Sequence, residues 1–230
     1  MLVLLTTFAL FANAQIETRP FEPTYAADQP TVAFDSMFRE MLQFQNFSAW
    51  ASLKSEVATQ KSKCALLVKK LELIKNSSEG LYPEHEIETA EYRSKICAAE
   101  FEQLEKRVEN RKSAAAYDKF LIIQMGNPGS DFRKEIAQQL KGQIEFEGEL
   151  LQISRKIAEL NRTYRKSRLD RTLPLCTKGL RPKNECEDLR LELSAAEGRL
   201  QAVAAEIENN RLSLEGMKRS LARLFAGSGG

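Results

Sequence analysis

Two cysteine pairs stand symmetrically about two breaker segments, and that placement limits what the chain can fold into more than any other feature. Cys64 and Cys97 lie about equally far from Gly80, inside the stretch Asn76 to Pro83. Cys176 and Cys186 flank Arg181 in the Gly/Pro loop Thr177 to Asn184. If a helix leaves each side of a turn, residues equidistant from the turn reach the same height on two antiparallel helices, where a disulfide can cross. Four cysteines allow three pairings, and only Cys64 with Cys97 and Cys176 with Cys186 suits both turns. Each closed loop would contribute about 3 to 4 kcal/mol by the chain-entropy account.

Between the breakers, apolar residues recur at the three-and-four spacing of core-facing helices. The first helix is predicted from Asp35, a suitable N-cap, to about Asn76, with a stripe at Trp50, Leu53, Val57, Cys64, Leu67, Leu71 and Ile74. Its opening differs. Phe34, Phe38, Met41, Leu42, Phe44, Phe47 and Trp50 point around most of the helix, so this segment must be covered on several sides. Neighbouring helices would cover it, and so would a partner or a second copy. Phe34, Phe38, Phe44, Phe47 and Trp50 are therefore a candidate apolar partner or oligomer surface.

The second helix is predicted to open with Pro83 at its first position, and with Glu84, Glu86 and Glu88 at the positive end of its dipole. Ile87, Ala90, Cys97, Phe101, Leu104 and Val108 set its frame. Gly126-Asn-Pro-Gly129 should reverse the chain. A third helix, about Asp131 to Arg171, aligns Phe146, Leu150, Ile153, Ile157, Leu160 and Tyr164. Beside that seam Leu140, Ile144 and Leu151 form a second apolar line, which a two-stranded hairpin could not bury. The fourth helix, about Asn184 to Phe225, alternates three and four from Cys186 through Leu189, Leu193, Ala196, Leu200, Val203 and Ile207 to Asn210, Leu214, Met217 and Leu221. Such a frame indicates coiled-coil packing, with Asn210 the polar member that can fix register.

The expected fold is all-α, made of long antiparallel, coiled-coil-like helical hairpins, most simply an elongated four-helix up-down-up-down bundle. Each helix would be roughly 60 Å long at ~1.5 Å rise per residue. The expected division is 1–14 as a signal peptide, 15–33 as an extended or disordered arm, 34–126 and 127–226 as the two hairpins, and 227–230 as a flexible tail. The first expectation rests on MLVLLTTFALFANA, an uncharged apolar run ending in the small-x-small pattern Ala12-Asn13-Ala14. That run falls short of the roughly 20 residues that span a bilayer, and no transmembrane segment is expected in the mature chain. Export to the periplasm or the extracellular space would suit cysteines that pair.

With 34 basic and 32 acidic residues, the whole-chain charge selects neither nucleic acid nor an acidic membrane. Locally, Arg162, Arg165, Lys166, Arg168, Arg171, Lys178, Arg181 and Lys183 gather around the second disulfide turn against only Asp170 and Glu185. They form a candidate tip for an anionic partner, although cations also complement a helix C-terminus. Aromatic residues follow core spacing and do not interleave with this run, which argues against nucleic acid. His85, the only histidine, has no nucleophile near it in sequence. The cysteines lack zinc-finger spacing, and phosphate-loop, dinucleotide and hydrolase motifs are missing. Neither an enzyme, a metal site nor a cofactor is expected. Glycosylation sequons occur at Asn46, Asn76 and Asn161, of which Asn76, in a turn, is best placed for a glycan.

The functional expectation is an exported, non-catalytic helical-hairpin protein serving interaction or structure, such as a subunit or adaptor of a cell-envelope assembly. Its partner would be another protein or a second copy, with an anionic surface as a further candidate. The alternative is a holdase-type chaperone or carrier that binds unfolded chains or lipids between its helices.

Overall fold

The computed structural model describes the backbone of residues 30–77, 81–124 and 133–226, and side chains mainly within 51–77, 81–111 and 135–223. Four helices occupy these spans: α1 (Pro30–Lys75), α2 (Glu84–Gln124), α3 (Arg133–Thr177) and α4 (Lys183–Ala226). Among the described residues there is no strand. The chain divides into two units, Met1–Phe38 and Arg39–Gly230. Of the first, the structure describes the opening turns of α1, residues 30–38; the packed hairpins belong to the second. The expected signal peptide, the arm up to residue 29, the Gly126–Gly129 turn and the tail lie outside the described residues.

Three helix boundaries differ from those expected. α1 takes in residues 30–33, expected in the arm, because Pro30 suits a first helical turn where its missing amide goes unused. Pro83 is not the first residue of α2 but precedes it, and its carbonyl accepts the amides of Glu86 and Ile87 at 2.9 and 3.4 Å. α3 continues past Arg171 to Thr177 with Pro174 inside it. A mid-helix proline forfeits one backbone bond, but the carbonyl left over is that of Asp170, an exposed residue. The turn around Pro174 is also retained by Lys178, whose amide donates to the Pro174 carbonyl at 3.2 Å.

Both disulfides form as the turn symmetry requires. Cys64 bonds Cys97 with their Cα atoms 5.4 Å apart, and Cys176 bonds Cys186 at 6.5 Å. The register set by Cys64–Cys97 extends along α1 and α2. Gln60 donates to the Glu100 carboxylate at 2.8 Å, and Lys75 pairs with Glu91 at 2.6 Å. Between α2 and α3, Lys106 meets Glu149 at 3.0 Å, Gln103 donates to Ser154 at 3.2 Å, and Arg171 pairs with Glu88. Each of these pairs stands about equally far from the 126–129 segment. Successive helices are therefore antiparallel, and the order is up-down-up-down.

The two apolar lines of α3 have separate destinations. Leu150, Ile157, Tyr164 and Arg171 recur every seven residues on the side where Tyr164 stacks on Tyr92 and Arg171 pairs with Glu88 of α2. Ile144, Leu151, Ala158 and Arg165 recur on the side where Arg165 pairs with Glu192 of α4. α2 is likewise shared. Cys97 faces α1, while Tyr92 faces α3. Ala99 of α2 is fully buried, and Ala158 of α3 is 3% exposed.

Asn210 fixes the α3–α4 seam through Gly148. Its side-chain amide donates to the Ile144 carbonyl at 3.0 Å, and its oxygen occupies the space that a Cβ on Gly148 would enter, 2.8 Å from that position. Gly142, Gly198 and Gly216 have nothing within 4 Å of the equivalent position. Replacing a helical glycine by alanine ordinarily gains about 1 kcal/mol. Gly198→Ala should show that gain in urea unfolding, Gly148→Ala should show none or a loss, and Gly148→Ala combined with Asn210→Ala should recover part of it.

Candidate functional site

Both described turns project from the same end of the second unit. The Arg171–Glu88 pair sets α3 and α2 side by side about one and a half turns before α3 ends and one turn after α2 begins. α1 closes with the Ser77 hydroxyl donating to the Ile74 carbonyl at 2.6 Å. α3 closes on a glycine in the left-handed region, Gly179 at φ +73°. The Leu180 amide donates to the Leu175 carbonyl at 2.9 Å and the Gly179 amide to the Cys176 carbonyl at 3.1 Å. This is the Schellman pattern, in which glycine adopts without strain a conformation that other residues avoid. The Cys176–Cys186 bond sits directly beneath it.

The cations expected at this tip divide into two groups. Arg162 pairs with Glu197 at 3.4 Å, Arg168 with Glu192 at 3.2 Å, Arg165 with the same Glu192, Arg171 with Glu88, and Arg181 with Glu185 at 2.8 Å. Most of these arginines lace α3 to its neighbours. Lys166, Lys178 and Lys183 have no ion pair among the described residues and are exposed. The acids that pair with these arginines are Glu185, Glu192 and Glu197 of α4 and Glu88 of α2. The side chains of Phe34, Phe38, Phe44, Phe47 and Trp50 lie outside those described.

Sequence reasoning missed the apolar part of the tip. Leu180 is 69% and Leu81 64% exposed, with Leu175 and Tyr82 also open to solvent. A Leu or Tyr inside a Gly/Pro turn falls outside any helical period, so the spacing argument gave it no role. It also missed a groove of about 330 Å³ between α1 and α2, floored by Leu67, Ile74 and Ala90 and edged by Lys70, Arg93 and His85. No group of three His, Cys, Asp or Glu side chains that could hold a metal occurs among the described residues, and no described helix is long and apolar enough to cross a membrane.

Behind the tip, a polar cluster ties α2, α3 and α4 together. The Tyr92 and Tyr164 rings stack with centroids 4.0 Å apart. The Tyr92 hydroxyl donates to the Asn161 side chain, and the hydroxyls of Thr89 and Tyr164 lie 3.1 Å apart. The guanidinium groups of Arg165 and Arg168 each lie 5.9 Å from the Tyr164 ring centre, within cation–π range. Asn161 and Thr163 of one sequon are thereby occupied, since the Thr163 hydroxyl donates to the Glu159 carbonyl. Asn76, by contrast, is exposed. No family model, curated protein or solved structure matches this chain.

Burial pushes the Tyr92 phenol above its ordinary value, opposed in part by the nearby Arg165 charge. A raised folded-state value means that the protonated phenol contributes stability which is fully present below pH ~10, the unfolded value, and is lost as pH rises through the folded one. Spectrophotometric titration of tyrosinate should show a late-titrating component that disappears in Tyr92→Phe. Alkaline unfolding of that variant should be less steep than that of the unsubstituted protein.

Proposed function

We propose that the protein is an exported, non-catalytic interaction protein that presents the paired turns of its helical hairpins to another macromolecule. The observation that carries this reading is that exposed leucines and exposed lysines without an ion pair among the described residues meet in one disulfide-clamped turn. Along the helix flanks, cross-helix pairs such as Lys106–Glu149, Lys156–Glu102 and Arg162–Glu197 satisfy charges within the fold. At the tip, lysines without ion pairs and exposed leucines share one end. Surface of that kind is costly to leave open and suits a partner that takes up both apolar and charged groups. The disulfides, the short apolar run at 1–14 and the lack of a membrane-crossing helix among the described residues support export to the periplasm or the extracellular space. A role as subunit or adaptor of a cell-envelope assembly fits a rigid rod end better than a reaction centre.

A second reading, a holdase or carrier, has one observation in its favour. Leu66 and Leu73 of α1 are 68% and 73% exposed, two helical turns apart on the face away from Cys64. A client bound there would lie along a helix flank.

Amine-directed cross-linking in the native compartment, read by mass spectrometry, separates the two. Cross-links to a partner should gather on Lys178, Lys183 and Lys166, sparing Lys106 and Lys156. Cross-links gathered on Lys69 and Lys70 of α1, together with suppression of client aggregation by a concentration-independent monomer, would favour the holdase and sink the tip reading.

A further inference from the structure

At the α3–α4 turn the same few residues supply both leucine and cation. Leu180 is 69% and Leu175 38% exposed, while Lys178 and Lys183 have no ion pair among the described residues. Arg181 pairs with Glu185 in the first turn of α4. The turn has little freedom to fold its leucines away. Gly179 holds a left-handed conformation, the Leu180 amide is bound to the Leu175 carbonyl, and Cys176–Cys186 clamps the base. The apolar group is held outward before any partner arrives, so little ordering is lost on binding.

We propose that this turn docks on the surface of an anionic lipid bilayer, with Leu180 entering the boundary between headgroups and acyl chains while Lys178, Arg181 and Lys183 meet lipid phosphates. This rests on the tip reading above and names the partner. An anionic polymer would satisfy the cations and leave the leucines in water. An acidic protein would have to supply a recess fitted to a projecting leucine, whereas a bilayer accepts apolar wedge and surrounding cations together without a matching shape. A hollow of about 180 Å³ lined by Leu173, Cys176, Cys186 and Arg190 lies at the base of the turn. The α1–α2 turn also exposes Leu81 and Tyr82, but Glu84 and Glu86 follow them. Of these two turns the α3–α4 turn is the more cationic, with Lys178, Arg181 and Lys183 in the turn itself and Glu185, Glu187 and Asp188 following on α4.

The test is co-sedimentation of the full oxidised chain with two kinds of vesicle: phosphatidylcholine alone, and equal parts phosphatidylcholine and phosphatidylglycerol. Binding is expected only to the second kind and should weaken as salt is raised. A lysine near an anionic surface is worth about five-fold in partitioning, so Lys178→Gln with Lys183→Gln should weaken binding about 25-fold. Leu180→Ser should weaken it as well. Because Leu180 is exposed, helix content by circular dichroism should be unchanged in that variant. Leu180→Trp supplies an independent readout, its emission shifting to the blue on the anionic vesicles.

Absence of sedimentation with the anionic vesicles overturns the inference. So does binding indifferent to the lysine pair, or a Leu180→Trp emission that stays unshifted. If vesicles fail while cross-links to a protein still gather on Lys178 and Lys183, the lipid surface is wrong and the tip reading stands.

Discussion

Cys97, bonded from α2 to Cys64 of α1, is 1% exposed; with Val203, it is among the largest side chains buried beyond reach of solvent. The structure depends on what that residue and its counterpart at the other turn do. A pair of long helices in contact along one stripe buries little per turn, and the buried positions here include Ala90, Ala99, Ala137 and Ala158. Apolar burial contributes in proportion to area, so alanine-rich contacts give less than leucine-rich ones. Covalent closure of two hairpins compensates from the other side of the equilibrium, by removing conformations from the unfolded chain. Placed symmetrically about their turns, the two bonds also set register, and the polar pairs then find partners.

Those polar pairs act more on specificity than on raw stability. An exposed ion pair contributes only about 0 to 1 kcal/mol, and most of the cross-helix bridges here are substantially exposed. A slip of α3 by a full turn, however, would uncouple Asn210 from the Gly148 notch, Tyr92 from Asn161 and Arg171 from Glu88 at once. Each loss is small and all occur together, which makes the chosen register much better than its neighbours. Asn210 is the clearest instance, because its amide has one place on α3 where a missing side chain admits it.

Much of this was legible in the sequence. The frame from Cys186 to Leu221 marks α4 without ambiguity, and the second apolar line on α3 correctly implied packing on two sides. The disulfide pairing followed from the turn centres. What escaped was whatever depends on register between helices: the stacking of Tyr92 on Tyr164, the pairing of Arg165 and Arg168 with Glu192, and the burial of Ala99. None of these partners is close in sequence, and periodicity says only that a residue faces inward, not what it meets. The end of α3 was missed for a local reason. The apolar spacing that marks α3 ends before Pro174, and a proline in a helix's last turns removes little when the carbonyl it abandons is exposed. The exposed leucines of the turns were missed because helical spacing assigns meaning only to residues inside a helix.

Leu175 and Leu180 also illustrate how one motif can serve fold and surface together. In a Schellman ending the residues at these two positions commonly touch, so apolar side chains there have a structural reason to exist. That reason accounts for the chemistry of the pair but not for its exposure. A helix end closing over neighbouring chain would gain by covering Leu180; here the turn stands at the end of the helices, with lysines on either side of it. The same cap that terminates α3 therefore fixes an apolar group in solvent, and the disulfide beneath prevents the turn from relaxing inward. Rigidity that stabilises the hairpin and rigidity that presents its apex are, at this turn, one set of bonds.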